Sequence, residues 1–152
     1  LSAHPYIVPA QIFQTSDSWV TLFITHDAFW EIFCQKVNKP EWIHDPKFST
    51  MKQRGVNRKE LIGHLDDLMK TKSSKDWEDL LIPSGIVVSE IKNLRQALES
   101  SLVENRGMVV KLEDADSNFL AVGNPIKNQG YKTKYYVSPM LNADYPTNLN
   151  HD

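Results

Sequence analysis

The sequence is poor in the features that assign a chemistry at sight. Among its 152 residues there is one cysteine, Cys34. A single thiol closes no internal disulfide and builds no cysteine-rich zinc site. No apolar run approaches the roughly 20 residues that cross a bilayer; the longest, from Trp19 to Ile24, contains Thr21. Neither sign of charge dominates, since 17 Lys and Arg face 19 Asp and Glu for a net charge of -2. A dedicated nucleic-acid binder carries a basic excess, so neither nucleic acid nor a membrane is an expected partner. The phosphate loop, GxGxxG, HExxH and G-x-S-x-G are all missing. The five histidines are scattered, and His26-Asp27 and His44-Asp45 are sequence neighbours that do not face each other in regular structure. No metal site is expected. The first residues, Leu1-Ser2-Ala3-His4-Pro5, include no initiator Met, no basic stretch and no apolar signal-like stretch, so the chain is expected to begin in mid-sequence.

What is present is a globular pattern. Hydrophobic residues make up 41% and charged residues 24%, close to the average for folded domains. A chain of this length buries roughly 70% of the surface its unfolded form exposes, enough for a core without staples. Gln11–Thr15 and Trp19–Ile24 are expected strands, with Val20, Leu22 and Ile24 alternating against Thr21 and Phe23, and Ser16-Asp17-Ser18 as the turn of a hairpin. Asp27 opens a helix whose stripe is Phe29, Trp30, Phe33 and Val37, closed by Asn38 and Pro40. Pro40 then starts a short turn that Asp45-Pro46 breaks. Asn57 to Glu60 has the form of a capping box ahead of Leu61, Ile62, Leu65, Leu68 and Met69. Ser73 or Ser74 caps a helix that buries Trp77, Leu80 and Leu81 and stops at Pro83-Ser84-Gly85.

Beyond Gly85, Ile86–Val88 is a strand candidate, and Ser89 is expected to cap a helix burying Ile91, Leu94 and Leu98. Ser101 to Glu104 is a second capping box, on a brief helix ending at Gly107. Met108–Leu112 and Phe119–Val122 form a second hairpin around the acidic turn 113–118. From Lys127 the chain is rich in Asn, Tyr, Lys and Pro and loses periodicity. The expected organisation is a small α+β domain over residues 1–126, with an antiparallel sheet of two hairpins packed with several helices, and an extended C-terminal tail over 127–152. Strands, then helices, then strands is not the alternation of a parallel βαβ chain.

Two groups of residues are chemical candidates. Cys34 lies on the aromatic helix and is expected to be a small buried thiol rather than a nucleophile. Lys52, Arg54, Arg58 and Lys59 form the one basic cluster. Cations in a first helical turn oppose the helix dipole at about 0.3–1 kcal/mol each. Either local carboxylates such as Glu60 offset that cost, or an anionic ligand or partner surface does.

Short motifs in a fixed order carry the argument further. They are His4-Pro5 and Pro9, Phe13-Gln14-Thr15-Ser16-Asp17, Asp27, Trp30, Phe33-Cys34, Pro40-Glu41 and Asp45-Pro46-Lys47-Phe48. There follow Arg54, Asn57-Arg58, Glu60-Leu61, Trp77, Gly85-Ile86, Arg106-Gly107-Met108-Val109-Val110 and Gly123-Asn124-Pro125-Ile126. In this order the chain resembles the C-terminal half of the family III CoA-transferases, the CaiB/BaiF group that includes formyl-CoA transferase, carnitine CoA-transferases and alpha-methylacyl-CoA racemase. The resemblance implies transfer of CoA between carboxylic acids through anhydride and thioester intermediates on an aspartate. In the family that aspartate and most CoA contacts belong to a large domain upstream, so no catalytic residue is expected in this chain. The substrates implied are an acyl-CoA and a carboxylic acid, with no tightly bound cofactor. The family's subunits interlock as homodimers. The expected compartment is the cytoplasm, or the mitochondrion or peroxisome in a eukaryote.

The same resemblance makes Asp27 a candidate for the active-site cleft, with simple N-capping as the alternative. It makes Arg54 and Arg58 candidates for contact with a partner subunit or an anionic ligand. Four departures stand out. Asp17-Ser18 replaces Asp-Gly, Ala10 replaces Tyr, Val87-Val88-Ser89-Glu90 replaces Pro-x-Gly-Pro, and Leu141-Asn142-Ala143-Asp144-Tyr145 replaces Leu-Gly-x-His-Thr. They leave open a degenerate, non-catalytic family member acting in subunit pairing or binding; an acyl-CoA racemase is the other alternative within the family.

Overall fold

The computed structural model describes residues 2–112, 119–128, 130 and 133–138. The chain divides into two compact units, Leu1–Ile91 and Lys92–Asp152.

The first unit is built on a three-stranded antiparallel sheet. β1 (Ala10–Gln14) pairs with β2 (Trp19–Phe23) in the register Phe13 to Val20, and β3 (Val87–Glu90) pairs on the other side of β2, with Leu22 opposite Val88. Alternation then sends Phe13, Val20, Leu22 and Val88 to one face, where all four are buried, while Trp19 and Val87 stay exposed on the other. The tip of the hairpin is fastened by its own polar residues. Thr15 Oγ1 donates to Asp17 Oδ1, Ser18 N–H donates to Thr15 Oγ1, and Ser16 N–H donates to the Lys72 carbonyl. These side-chain bonds shape a turn that has Ser at position 18 where Gly would suit a primed turn.

Five helices complete the unit: α1 (Asp27–Lys36), α2 (Glu41–His44), α3 (Met51–Val56), α4 (Arg58–Met69) and α5 (Ser74–Leu81). Their stripes follow helical spacing. Trp30, Phe33 and Cys34 are buried on α1, Leu61, Leu65 and Met69 on α4, and Trp77 and Leu81 on α5. Burying each such side chain stabilises the fold by roughly 1.5–3 kcal/mol. Trp30 stacks on Trp42 with ring centroids 6.0 Å apart and planes 6° apart, and on Phe33 at 5.7 Å. The buried indoles are also satisfied as donors: Trp77 Nε1 donates to the Met69 carbonyl at 2.8 Å. Ser73 and Asp76 form a complete capping box on α5. After a 3₁₀ turn at Ile82–Ser84, Gly85 takes φ +78°, a left-handed conformation that only glycine adopts cheaply, and turns the chain into β3.

The second unit has two five-residue helices, α6 (Leu94–Leu98) and α7 (Ser101–Asn105), and a hairpin of β4 (Val109–Lys111) with β5 (Leu120–Val122) in the register Val110 to Ala121. Gly123 is required at the base of this hairpin, because a Cβ there would lie 2.6 Å from the Gly107 carbonyl oxygen.

The α+β architecture and its antiparallel pairing agree with the sequence pattern, and four local expectations need correction. Ser89 does not cap a helix: it lies in β3, and the first hairpin is part of a three-stranded sheet. Asn93 caps α6 instead, in a capping box with Gln96, and Leu94 points outward at 76% exposure. Ser100 rather than Ser101 caps α7. Asn57 makes no side-chain cap on α4. Its Nδ2 donates to the carbonyls of Lys47 and Gln53, while Glu60 reaches Lys47 Nζ at 2.7 Å. The turn 113–118 and, in the expected tail, residues 129, 131–132 and 139–152 lie outside the described residues.

Candidate functional site

The polar centre of the first unit is Arg54. Its side chain is 0% exposed, and the whole fork is engaged. Nε donates to the Val8 carbonyl at 2.9 Å, Nη1 to the Phe48 carbonyl at 3.0 Å and Nη2 to Asp27 Oδ1 at 2.7 Å, while the guanidinium carbon lies 4.9 Å from the Trp30 ring centroid. Arginine is almost never fully buried unless paired, and here the planar fork meets three acceptors that a point-like ammonium could not serve at once. Burial pulls the guanidinium below its ordinary pKa, and the hydrogen bond to Asp27 opposes that shift. Arg54 thereby joins the N-terminal segment, the start of α1 and the loop before α3.

Asp27 is the counterion. It is not an N-cap: His26 holds that position, and Asp27 is the first helical residue, where a carboxylate also suits the dipole. Its Oδ1 accepts from both Arg54 Nη2 and the Met51 backbone N–H, at 2.7 and 2.9 Å. The side chain remains 49% exposed, and among the described residues no hydrogen bond engages Oδ2. Such a carboxylate is held firmly by one oxygen and presents the other to solvent.

The basic cluster is therefore not one surface. Arg54 turns inward. Arg58, the first residue of α4, donates through Nη2 to the carbonyls of His4 and Pro5 at 2.9 and 3.0 Å. Lys52 and Lys59 are exposed. At the start of α4, Arg58 is held by the His4 and Pro5 carbonyls, while Glu60 pairs with Lys47 at 2.7 Å.

Cys34 is fully buried, and burial pushes its thiol up to about 12, which makes it inert as a nucleophile at neutral pH. Asp17 is the other anchored carboxylate. It accepts from the Ser74 N–H at 2.8 Å and from Thr15, and these bonds hold it below the usual carboxylate range. Among the described residues no group of three or more His, Cys, Asp or Glu is placed to hold a metal ion, and no helix is long and apolar enough to cross a membrane.

The sequence profile of CoA-transferase family III matches residues 2–145. The chain belongs to this family. It is 26% identical over 149 residues to human succinyl-CoA:glutarate CoA-transferase, covering 97% of this chain and 34% of the human protein. It is 25% identical over 128 residues to the acetyl-CoA:oxalate CoA-transferase of Acetobacter aceti, covering 84% of this chain and 32% of that one. The crystal structure of a CaiB/BaiF family protein from Brucella suis shares the fold, with a TM-score of 0.79 over 93% of this chain and 37% of its own, at 22% identity. The chain thus spans about a third of the length of the curated CoA-transferases it matches.

Proposed function

We propose that this chain is the small-domain part of an enzyme that transfers CoA from an acyl-CoA to a free carboxylic acid. The observation that carries the reading is the family III profile running through 2–145, supported by relatives whose names specify an acyl-CoA donor and a dicarboxylate acceptor. Those relatives are about three times as long. The nucleophilic aspartate expected for the family, and most contacts to CoA, belong in this reading to the other part of that polypeptide.

The reaction needs a carboxylate nucleophile and exclusion of water. The nucleophile attacks the thioester carbonyl, a mixed anhydride forms and CoA thiolate leaves. The thiolate then attacks the enzyme's carbonyl of the anhydride, releasing the donor acid and leaving an enzyme-bound CoA thioester. An incoming acid reverses the sequence. This chain supplies a rigid wall for such a site, and Asp27 is its cleft-facing carboxylate, held in place by Arg54 and the Met51 N–H. No cofactor other than the CoA thioester substrate is needed. The working form is a homodimer, in the cytoplasm or in an organelle that handles acyl-CoA.

The test is a transfer assay on the family-length polypeptide with succinyl-, formyl- or acetyl-CoA and glutarate or oxalate, beside the 152-residue chain alone. CoA transfer by the long form and none by the short one is expected. Turnover by the short chain above a blank would overturn the assignment of chemistry to the other part. No transfer by the long form, with any of these pairs, would overturn the proposed activity.

A further inference from the structure

The segment Ser2–Pro9 is fastened to the first unit by an arrangement that turns on the protonation of one side chain. His4 Nδ1 accepts two backbone N–H bonds, from Tyr6 at 3.2 Å and from Ile7 at 3.0 Å. A ring nitrogen accepts only when it carries no proton, so these two bonds require the neutral imidazole with its proton on Nε2. The same residue is tied at both backbone atoms: its N–H donates to the Ala10 carbonyl at 2.8 Å, and its carbonyl accepts from Arg58 Nη2 at 2.9 Å. The Pro5 carbonyl accepts from the same Arg58 nitrogen. Farther along, Val8 meets Arg54 through its carbonyl and Met51 Sδ through its N–H.

We propose that His4 is a proton-operated latch for this segment, closed by the neutral ring and released when Nδ1 is protonated. Protonation turns the acceptor into a donor facing two other donors, so the Tyr6 and Ile7 bonds are both lost. It also places a second cation beside Arg58, the charged group that faces His4 from α4. The Tyr6 ring also faces His4, with its centroid 6.4 Å away in an edge-on arrangement. Among the described residues no carboxylate forms an ion pair with His4, so none of those ion pairs offsets the new charge. Since Arg58 holds the carbonyls of His4 and Pro5, release of the turn loosens the segment against the start of α4. The anchors at Val8 lie beyond the turn and hold the rest, which confines the change to residues 2–7.

The test uses the ¹⁵N-labelled 152-residue chain between pH 8 and pH 5 at fixed ionic strength. The Tyr6 and Ile7 amide shifts are expected to move with the same midpoint as the His4 ring protons. Their hydrogen-exchange protection, corrected for intrinsic rates, is expected to fall about tenfold, while Val20 and Leu22 in the sheet stay protected. His4→Asn places a carbonyl oxygen near the Nδ1 position and does not titrate. It should keep the protection of Tyr6 and Ile7 at both ends of the range, whereas His4→Ala should lose it at every pH. Unchanged protection as His4 titrates, an equal fall in His4→Asn, retained protection in His4→Ala, or a fall shared by Val20 and Leu22 would each overturn the proposal.

Discussion

Replacing Arg54 tests whether the polar centre of the first unit holds the fold together. Arg54→Ala removes the donors of two backbone carbonyls, Val8 and Phe48. A buried acceptor left unsatisfied costs about 1–3 kcal/mol. The substitution also empties the volume of a side chain with no solvent exposure, beside Trp30, and large-to-small changes in a core cost about 2–5 kcal/mol. These contributions overlap, because the collapse that fills the cavity also lets water reach the carbonyls. A loss of about 4 kcal/mol is therefore expected, within the range measured when one partner of a buried pair is removed. The partner behaves differently. Asp27→Asn keeps an oxygen for Arg54 and for the Met51 N–H, and the group is half exposed, so about 1 kcal/mol is expected. Arg54→Lys keeps the charge and loses the fork, and should fall between the two at about 2 kcal/mol. Urea unfolding followed by tryptophan fluorescence reads all three, since Trp30 and Trp77 are fully buried. If Arg54→Ala costs under about 1 kcal/mol with an unchanged m-value, or if Asp27→Asn costs more than Arg54→Ala, the reasoning fails.

Other outcomes follow from the same contacts. Asp17 sits below the usual 3.8 in the folded chain because Ser74 and Thr15 donate to its carboxylate, so its contribution is complete above that value and disappears as pH falls through the folded one; the acid limb of a stability–pH curve should be shallower in Asp17→Asn. Ser73→Ala breaks the α5 capping box and should cost about 1 kcal/mol by urea unfolding, with Ser73→Asp recovering most of it. Cys34, buried and pushed up to about 12, should resist a thiol-specific disulfide reagent in the native chain and react at once in denaturant; rapid labelling of the native chain would contradict its burial.

How far the sequence could be read depended on the range of the interaction. The hairpin of β1 and β2 and the stripes of α1, α4 and α5 rest on period-two and helical spacing, which are local and strong. β3 has four residues, two of them Ser89 and Glu90, and its strand identity comes from pairing with β2 across more than sixty residues of chain. The misplaced caps had a readable signal in one case: Asn93 with Gln96 three residues later is itself a capping-box pattern. Asn57 shows the limit of that signal, because its amide is drawn away by the carbonyls of Lys47 and Gln53. The bond from Arg54 to Asp27 spans 27 residues, and no spacing rule links them; counting charges grouped Arg54 with Lys52, Arg58 and Lys59, although it points the other way. The five-residue α6 gave too little periodicity to decide which side Leu94 faces, and it faces out.

The division of labour within the family-length polypeptide is the claim on which the functional account stands, and covalent trapping tests it most directly. The long form is mixed with an acyl-CoA, reduced with borohydride to convert an enzyme-bound CoA thioester to an alcohol, and mapped by peptide mass spectrometry. One modified carboxylate is expected, located outside residues 1–152 of the family-length polypeptide, with residues 1–152 unmodified. Reduction at Asp27, or at any other carboxylate within this chain, would contradict it.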